Sequence, residues 1–482
     1  MGDDMNTRGQ LRHVILAVAA AALFASPVVA AKKKEEEERQ SSPVSPSAPD
    51  PWPSTYRPLP RADMLITGAT ILDGAGGRHD AADVLVRDGR VVAVGRNLDA
   101  GGAAVVDGRG KWVTPGIIDV HSHNGTFVVP LTSVDEHGSD VTEISDPNAA
   151  ETWIEHAVNA QDVAFDRALA GGVTTLQILP GSTTIIGGRS VVLKNVPAIT
   201  MQGMKFPGAP QGLKIACGEN PKLYYGGRGS APNSRQGELA MFRAAFSAAQ
   251  DYLERSRGEK PGRGGGHGAP RGPRNLELET LGGVLTGDIR VQAHCYRADD
   301  MAVMLGLARE YNFHIAAFHH ATEAYKIPGM LREAGTCAAV WSDWWGFKVE
   351  AQDAIRENAA FVEAAGGCAM MHSDSPQVGQ RLTIEAAKAA GAGRRAGVSL
   401  PPETIIRWVT SNPAKAMGLD DRIGTLAPGY NADLVLWSGD PFSIYSHADR
   451  VYIDGALVYD RANPAYRPRS DFEIGRTEAA PR

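Results

Sequence analysis

Between Gly116 and about Gly418 the sequence alternates short apolar runs with alanine-rich stretches of helical character, and this alternation constrains the fold most. "VTTLQILPG" reads as a strand and "ELAMFRAAFSAAQDYLER" as a helix. "IRVQAHCY" and "ADDMAVMLGLAREY" repeat the pair, and "FHIAAFHHATEAYK", "TCAAVWSDWW" and "GCAMMHSDSP" continue the series. Strands alternating with helices imply βα units and a parallel sheet. The length of the run, with polar residues recurring where strands end, points to a (β/α)8 TIM barrel, whose active sites lie at the strands' C-terminal ends.

The flanks have another texture. "MLITGATILDG" and "ADVLVRDGRVVAVG" on one side, "ADLVLWSGDP" and "RVYIDGALVYD" on the other, are rich in Val, Ile and Leu. Asp88-Gly89 and Asp454-Gly455 mark hairpin turns. We expect one composite β-sandwich built from 61–114 and 421–465, around a barrel of 115–420, with 466–482 a tail. With 482 residues, 43% hydrophobic and 22% charged, the composition is that of an ordinary globular protein. A formal net charge of -6 gives no bulk electrostatic reason to bind nucleic acid.

Val14 to Phe24, "VILAVAAAALF", is too short to span a bilayer comfortably. Arg8 and Arg12 precede it, and small residues follow up to Ala30 and Ala31. That is the pattern of a secretory signal peptide, with a buried helix the plainer alternative. Met5 gives a more basic start than the acidic Met1-Gly2-Asp3-Asp4. We expect 1–31 to be a signal peptide, the protein to be exported (periplasmic or secreted) without a stable membrane anchor, and 32–60 to be a charged, Pro/Ser-rich disordered linker. Cys217, Cys295, Cys337 and Cys368 each sit in or beside an apolar strand-like run. Export permits disulfides, but the expectation is four free, buried thiols. Ser256 to Arg274 is a Gly/Arg/Pro-rich insertion, read as a flexible loop with His267 solvent-exposed.

"TPGIIDVHSHNG" carries the first chemical signal. Residues i and i+2 of a strand share a face, so His121 and His123 point the same way at a strand's end. Alone the pair is weak, since two polar residues where a strand meets a loop would look the same. But His294 ends "IRVQAHC", His319 and His320 end "FHIAAFHH", and Asp374 ends "CAMMHSD". Imidazole nitrogens and a carboxylate gathered at one barrel mouth suit a divalent metal, Zn²⁺ first, with Mn²⁺, Fe²⁺ or Co²⁺ admissible.

Taken with "HSDSP", "TSNPAKAMGL" and "GTLAPGYNADLVLW", these residues resemble the amidohydrolase superfamily of metal-dependent hydrolases, including its imidazolonepropionase-like members. The resemblance implies the barrel and composite sandwich already read, and a site of one or two metal ions. It assigns His121 and His123 to the first strand, His294 to the fifth, His320 rather than His319 to the sixth, and Asp374 to the eighth. The fourth-strand ligand is open between Glu219 and a carboxylated Lys214. Glu219 is preferred because it lies nearer the strand's end. Asp374 would also accept the proton of the attacking water, and His372 needs no catalytic role.

A small-molecule substrate with an amide-type C–N bond follows from the resemblance. Deamination is the nearest rival, but resembling deaminases carry a glutamate where Arg297 stands in "HCYRADD". A non-catalytic barrel scaffold would be expected to have lost ligands. Trp341, Trp344 and Trp345 suggest an aromatic substrate wall, or packing between barrel and helices. Arg235 or Arg228 could hold a substrate carboxylate, with a surface ion pair as the alternative. Homo-oligomerisation is left open.

Overall fold

The computed structural model describes residues 50–127, 129, 137–258, 274–344 and 346–466. The expected signal peptide, most of the linker, His267, Trp345 and the tail past 466 lie outside the described residues. Among those described, no helix is long and apolar enough to cross a membrane.

Eight strands form a nearly closed sheet in chain order: β1 (Ile117–Ser122), β2 (Val173–Ile178), β3 (Ile186–Lys194), β4 (Gln211–Ala216), β5 (Ile289–Cys295), β6 (Ile315–His320), β7 (Cys337–Val340) and β8 (Cys368–Met371). β1 and β6 are buried at every position. Strands covered on both faces read as continuous apolar runs rather than alternating ones. Helices such as Ala298–Tyr311 and Asn358–Ala364 carry the chain between successive parallel strands. One strand departs from the all-parallel expectation, because β3 runs antiparallel to both β2 and β4. Residues 179–185 join β2 to β3 without a helix, and a strand that returns without a crossover must run the other way.

Both chain ends contribute to a second sheet. Trp112–Pro115 pairs antiparallel with Leu434–Trp437, joining the strands after Met64 to those before Asp460. The two expected hairpin turns are there, with positive φ at Asp88 (47°), Gly89 (74°), Asp454 (48°) and Gly455 (75°), the backbone that two-residue hairpin loops require. The strands of both flanks thus share one sheet of eight strands.

The cysteines correct the expectation of free thiols. Cys217 is bonded to Cys295 and Cys337 to Cys368, with Cα–Cα distances of 5.4 and 4.5 Å. Each pair joins neighbouring strands: Cys337 and Cys368 are register partners, and Cys217 follows Ala216, the partner of His294. The apolar runs were read correctly, but the lateral register that brings the sulfurs together is a property of the closed sheet.

Candidate metal centre

The two histidines of β1 converge as strand parity requires, with their Nε2 atoms 3.3 Å apart. From the opposite edge of the sheet, Asp374 places Oδ1 3.2 Å from His121 Nε2 and 3.0 Å from His123 Nε2. His123 Nδ1 lies 2.8 Å from the Leu179 carbonyl oxygen. A carbonyl only accepts, so the proton of a neutral His123 sits on Nδ1 and a bare lone pair on Nε2 faces the Asp374 carboxylate. Two acceptors at that separation repel unless a proton or a metal cation lies between them.

β5 and β6 supply the other side. His294 is 1% exposed, and neither ring nitrogen has a hydrogen-bond partner. His320 packs on it with ring centroids 4.4 Å apart, and its Nδ1, also unpartnered, lies 3.9 Å from Asp374 Oδ2. Buried polar atoms are ordinarily satisfied, so three unpartnered imidazole nitrogens, one of them 3.9 Å from the Asp374 carboxylate, mark a place for a cation. His320 and Asp374 both have positive φ, 69° and 53°, an uncommon backbone for such residues that concentrates at functional sites. Burial first, then neighbouring positive charge, pushes His121, His294 and His320 well below the usual imidazole range, keeping them neutral as ligation demands.

His319 faces elsewhere: its Nε2 meets Gln292 Oε1 at 2.8 Å and its Nδ1 meets His121 Nδ1 at 3.1 Å. His372 stacks on His121 at 5.1 Å, and its Nε2 accepts from the His320 backbone N–H at 3.3 Å. Burial lowers the pKa of His372 to about 3.

On the fourth strand the geometry reverses the preference drawn from sequence. Lys214 is 1% exposed, with Nζ 3.4 Å from His121 Nε2 and 3.0 Å from the Pro180 carbonyl oxygen, and burial pushes its pKa down to about 8. Glu219 stands outside this cluster. Gly218, at φ 90°, ends the strand's course, and Glu219 opens the helix Glu219–Gly226 with its carboxylate accepting from the Glu350 backbone N–H at 3.2 Å.

Arg235 is likewise committed elsewhere. Its Nε donates to both Asp300 oxygens at 2.9 Å and its Nη2 pairs with Glu350. Arg228 is exposed and lies over the Tyr224 ring. Arg297 donates to Asp299 at 2.8 and 2.6 Å. Trp341 packs 4.4 Å from His320 and 5.0 Å from His372, and Trp344 stacks on Trp341 at 5.0 Å. Sequence reasoning missed two residues here. Tyr296 stacks on His320 at 4.9 Å, and Lys348 holds Nζ 3.8 Å from the Tyr296 ring centre while donating to Asn220 Oδ1 at 2.6 Å. Neither has a motif of its own, although Lys348 follows the quoted tryptophans closely.

The Amidohydrolase family profile matches residues 349–464. "Amidohydrolase tasK" of Hapsidospora irregularis is 31% identical over 421 residues, which are 83% of this chain but 42% of that relative's own length. "N-acyl-D-aspartate deacylase" of Alcaligenes xylosoxydans xylosoxydans is 44% identical over 69 residues, 14% of each chain. The crystal structure of an amidohydrolase from Thermotoga maritima MSB8 is 34% identical with a TM-score of 0.74, and the alignment covers 83% of this chain and 100% of that one. A mixed α/β barrel, histidines and an aspartate gathered at its strand ends, and a relative matched along its full length lead to one conclusion: the chain belongs to the amidohydrolase family.

Proposed function

We propose that this amidohydrolase is an exported, divalent-metal enzyme, Zn²⁺ being the first candidate, that hydrolyses an amide-type C–N bond of a small molecule. One observation carries the reading: the Asp374 carboxylate and the His123 Nε2 lone pair face each other at 3.0 Å, beside the orphaned nitrogens of His294 and His320. That donor set fits a divalent cation held by His121, His123, His294, His320 and Asp374. When bound, such a cation lowers the pKa of water toward neutrality and polarises a carbonyl.

The residues supply the rest. Asp374, whose carboxylate meets the ring nitrogens of His121 and His123, acts as the base that takes a proton from water and returns it to the leaving nitrogen. Lys214 replaces Glu219 as the fourth-strand contributor. With its pKa near 8 its amine is partly neutral at physiological pH. The neutral amine can add CO₂, forming an N–C bond and releasing a proton, and the resulting carbamate offers the oxygen donors that Glu219 is too far removed to give. Trp341 and Trp344 exclude water from one flank of the substrate. Arg297, engaged with Asp299, supplies no carboxyl of the kind expected for deamination. Two disulfides suit an oxidising compartment, in keeping with export.

The test is to measure metal content and then hydrolysis of a panel of N-acyl amino acids, dipeptides and cyclic amides, before and after chelation. Turnover lost with the metal and regained with Zn²⁺, faster in bicarbonate, is the expected result. Ammonia released from aminated rings without amide cleavage would favour deamination, and full activity without metal would overturn the proposal.

A further inference from the structure

His121 is held from behind by a chain of buried polar groups that the proposed hydrolysis does not use. The Ala416 carbonyl oxygen, at the end of the helix Ser411–Met417, accepts from Gln292 Nε2 at 3.3 Å and from Arg290 Nε at 3.0 Å. Gln292 Oε1 meets His319 Nε2 at 2.8 Å, and His319 Nδ1 meets His121 Nδ1 at 3.1 Å. Gln292, His319 and His121 are all 0% exposed.

Hydrogen-bond direction propagates along this chain without choice. A carbonyl can only accept, so Gln292 turns its NH₂ toward Ala416 and its oxygen toward His319. That oxygen requires a proton on His319 Nε2. A neutral imidazole has one N–H, so His319 Nδ1 is a lone pair. It accepts from His121 Nδ1–H, and His121 Nε2 is left bare, facing His123 Nε2 and Asp374. We propose that Gln292 and His319 are positioning residues that fix the tautomer of His121 so that Nε2 is free to bind metal. The helix of the "TSNPAKAMGL" stretch is thereby linked to the metal centre through Ala416.

This inference rests on the reading of His121 as a metal ligand, and its test separates the two. In metal-stripped, ¹⁵N-histidine-labelled full-length protein, the His121 resonances (assigned by their loss in His121→Asn) should report a proton on Nδ1. A proton on Nε2 would overturn the proposal whether or not metal binds elsewhere. Metal affinity, read by competition with a chromogenic chelator, provides the second arm. Asparagine places its amide near the position of Nδ1 and can accept from His121, whereas leucine only fills space. His319→Leu and Gln292→Met should each weaken Zn²⁺ binding by about 10–100-fold, the usual effect of losing such a partner, and His319→Asn should restore most of it. If His319→Leu binds Zn²⁺ as tightly as His319→Asn does, His319 is a packing residue and the proposal fails.

Discussion

Lys214→Met should stabilise the metal-free protein while lowering, not abolishing, its capacity for metal. The ammonium is 1% exposed and has one carbonyl acceptor, Pro180 O at 3.0 Å, besides the edge of His121. Burial moves its pKa from the ordinary 10.5 down to about 8. At about 1.36 kcal/mol per pKa unit the buried charge costs about 3 kcal/mol. The sign follows from proton counting. Below pH 8 the lysine is charged in both folded and unfolded chains, so the penalty is present in full. Between pH 8 and 10.5 the unfolded chain holds the extra proton, stability rises with pH, and above 10.5 the penalty is gone. Methionine keeps a similar shape, loses the charge, and forfeits about 1 kcal/mol with the Pro180 hydrogen bond. The metal-free variant should therefore exceed wild type by about 2 kcal/mol at pH 7, and the difference should shrink by pH 10. Urea unfolding of both proteins after chelation, at the two pH values, provides the measurement. A variant no more stable than wild type at pH 7 would show that Lys214 is not held as a desolvated ammonium, and the carbamate argument would lose its physical basis.

Asp374→Asn keeps size and one oxygen donor but cannot take a proton. Most of the metal should remain, kcat should fall by about 10²–10⁴, and near-normal turnover with metal bound would shift the base to another group. Cys337→Ser closes off a bond whose sulfurs are 31 residues apart in sequence. It should destabilise the oxidised protein by about 3–4 kcal/mol on chain-entropy grounds, and thiol titration of unreduced, denatured wild type should find no free cysteine. N-terminal sequencing of extracytoplasmic protein should give a mature end near Ala31 or Lys32, and an intact end in a cytoplasmic fraction would rule out export.

What the sequence made legible follows the periodicities of single elements. The i, i+2 rule put His121 and His123 on one face, and the strand-end positions of His294, His320 and Asp374 located the mouth they share. The Asp-Gly turns gave both terminal hairpins. The failures came from relations between elements. Whether β3 returns antiparallel depends on the short loop after Leu179, which looks in sequence like any glycine-bearing connection. Choosing Glu219 by its nearness to the strand's end ignored Gly218, where the backbone turns away. A lysine's flexible four-carbon stem reaches the centre from within the strand, so Lys214 arrives where a shorter side chain at that position would not. The disulfides needed lateral register. Arg235 looked free only because Asp300 and Glu350, 65 and 115 residues away, could not be seen beside it.

Asp374, the base of the proposed function, sits at the one seam the strand ladders leave unpaired, and its placement depends on side chains there. β1 and β8 are the two ends of the barrel sheet's strand order, with no ladder joining them. In its place the Asp374 backbone N–H donates to the His121 carbonyl oxygen at 2.9 Å. Asp119, fully buried, accepts from Ser373 Oγ at 2.5 Å and from the Ser373 backbone N–H at 3.2 Å. Burial raises the Asp119 pKa to about 7, against the hydrogen bonds from Ser373 that lower it. A carboxyl kept in so dry a place is expensive unless it organises something. What Asp119 organises is the residue preceding Asp374, while His121 two positions along fixes Asp374 itself. The "DVH" of β1 and the "HSD" beyond β8 thus act as two halves of one clasp: the histidine that faces the metal position also supplies the backbone carbonyl that sets the carboxylate. Closing the barrel and aligning ligand with base are the same structural event, so loosening the seam should disturb metal binding and proton transfer together rather than one at a time.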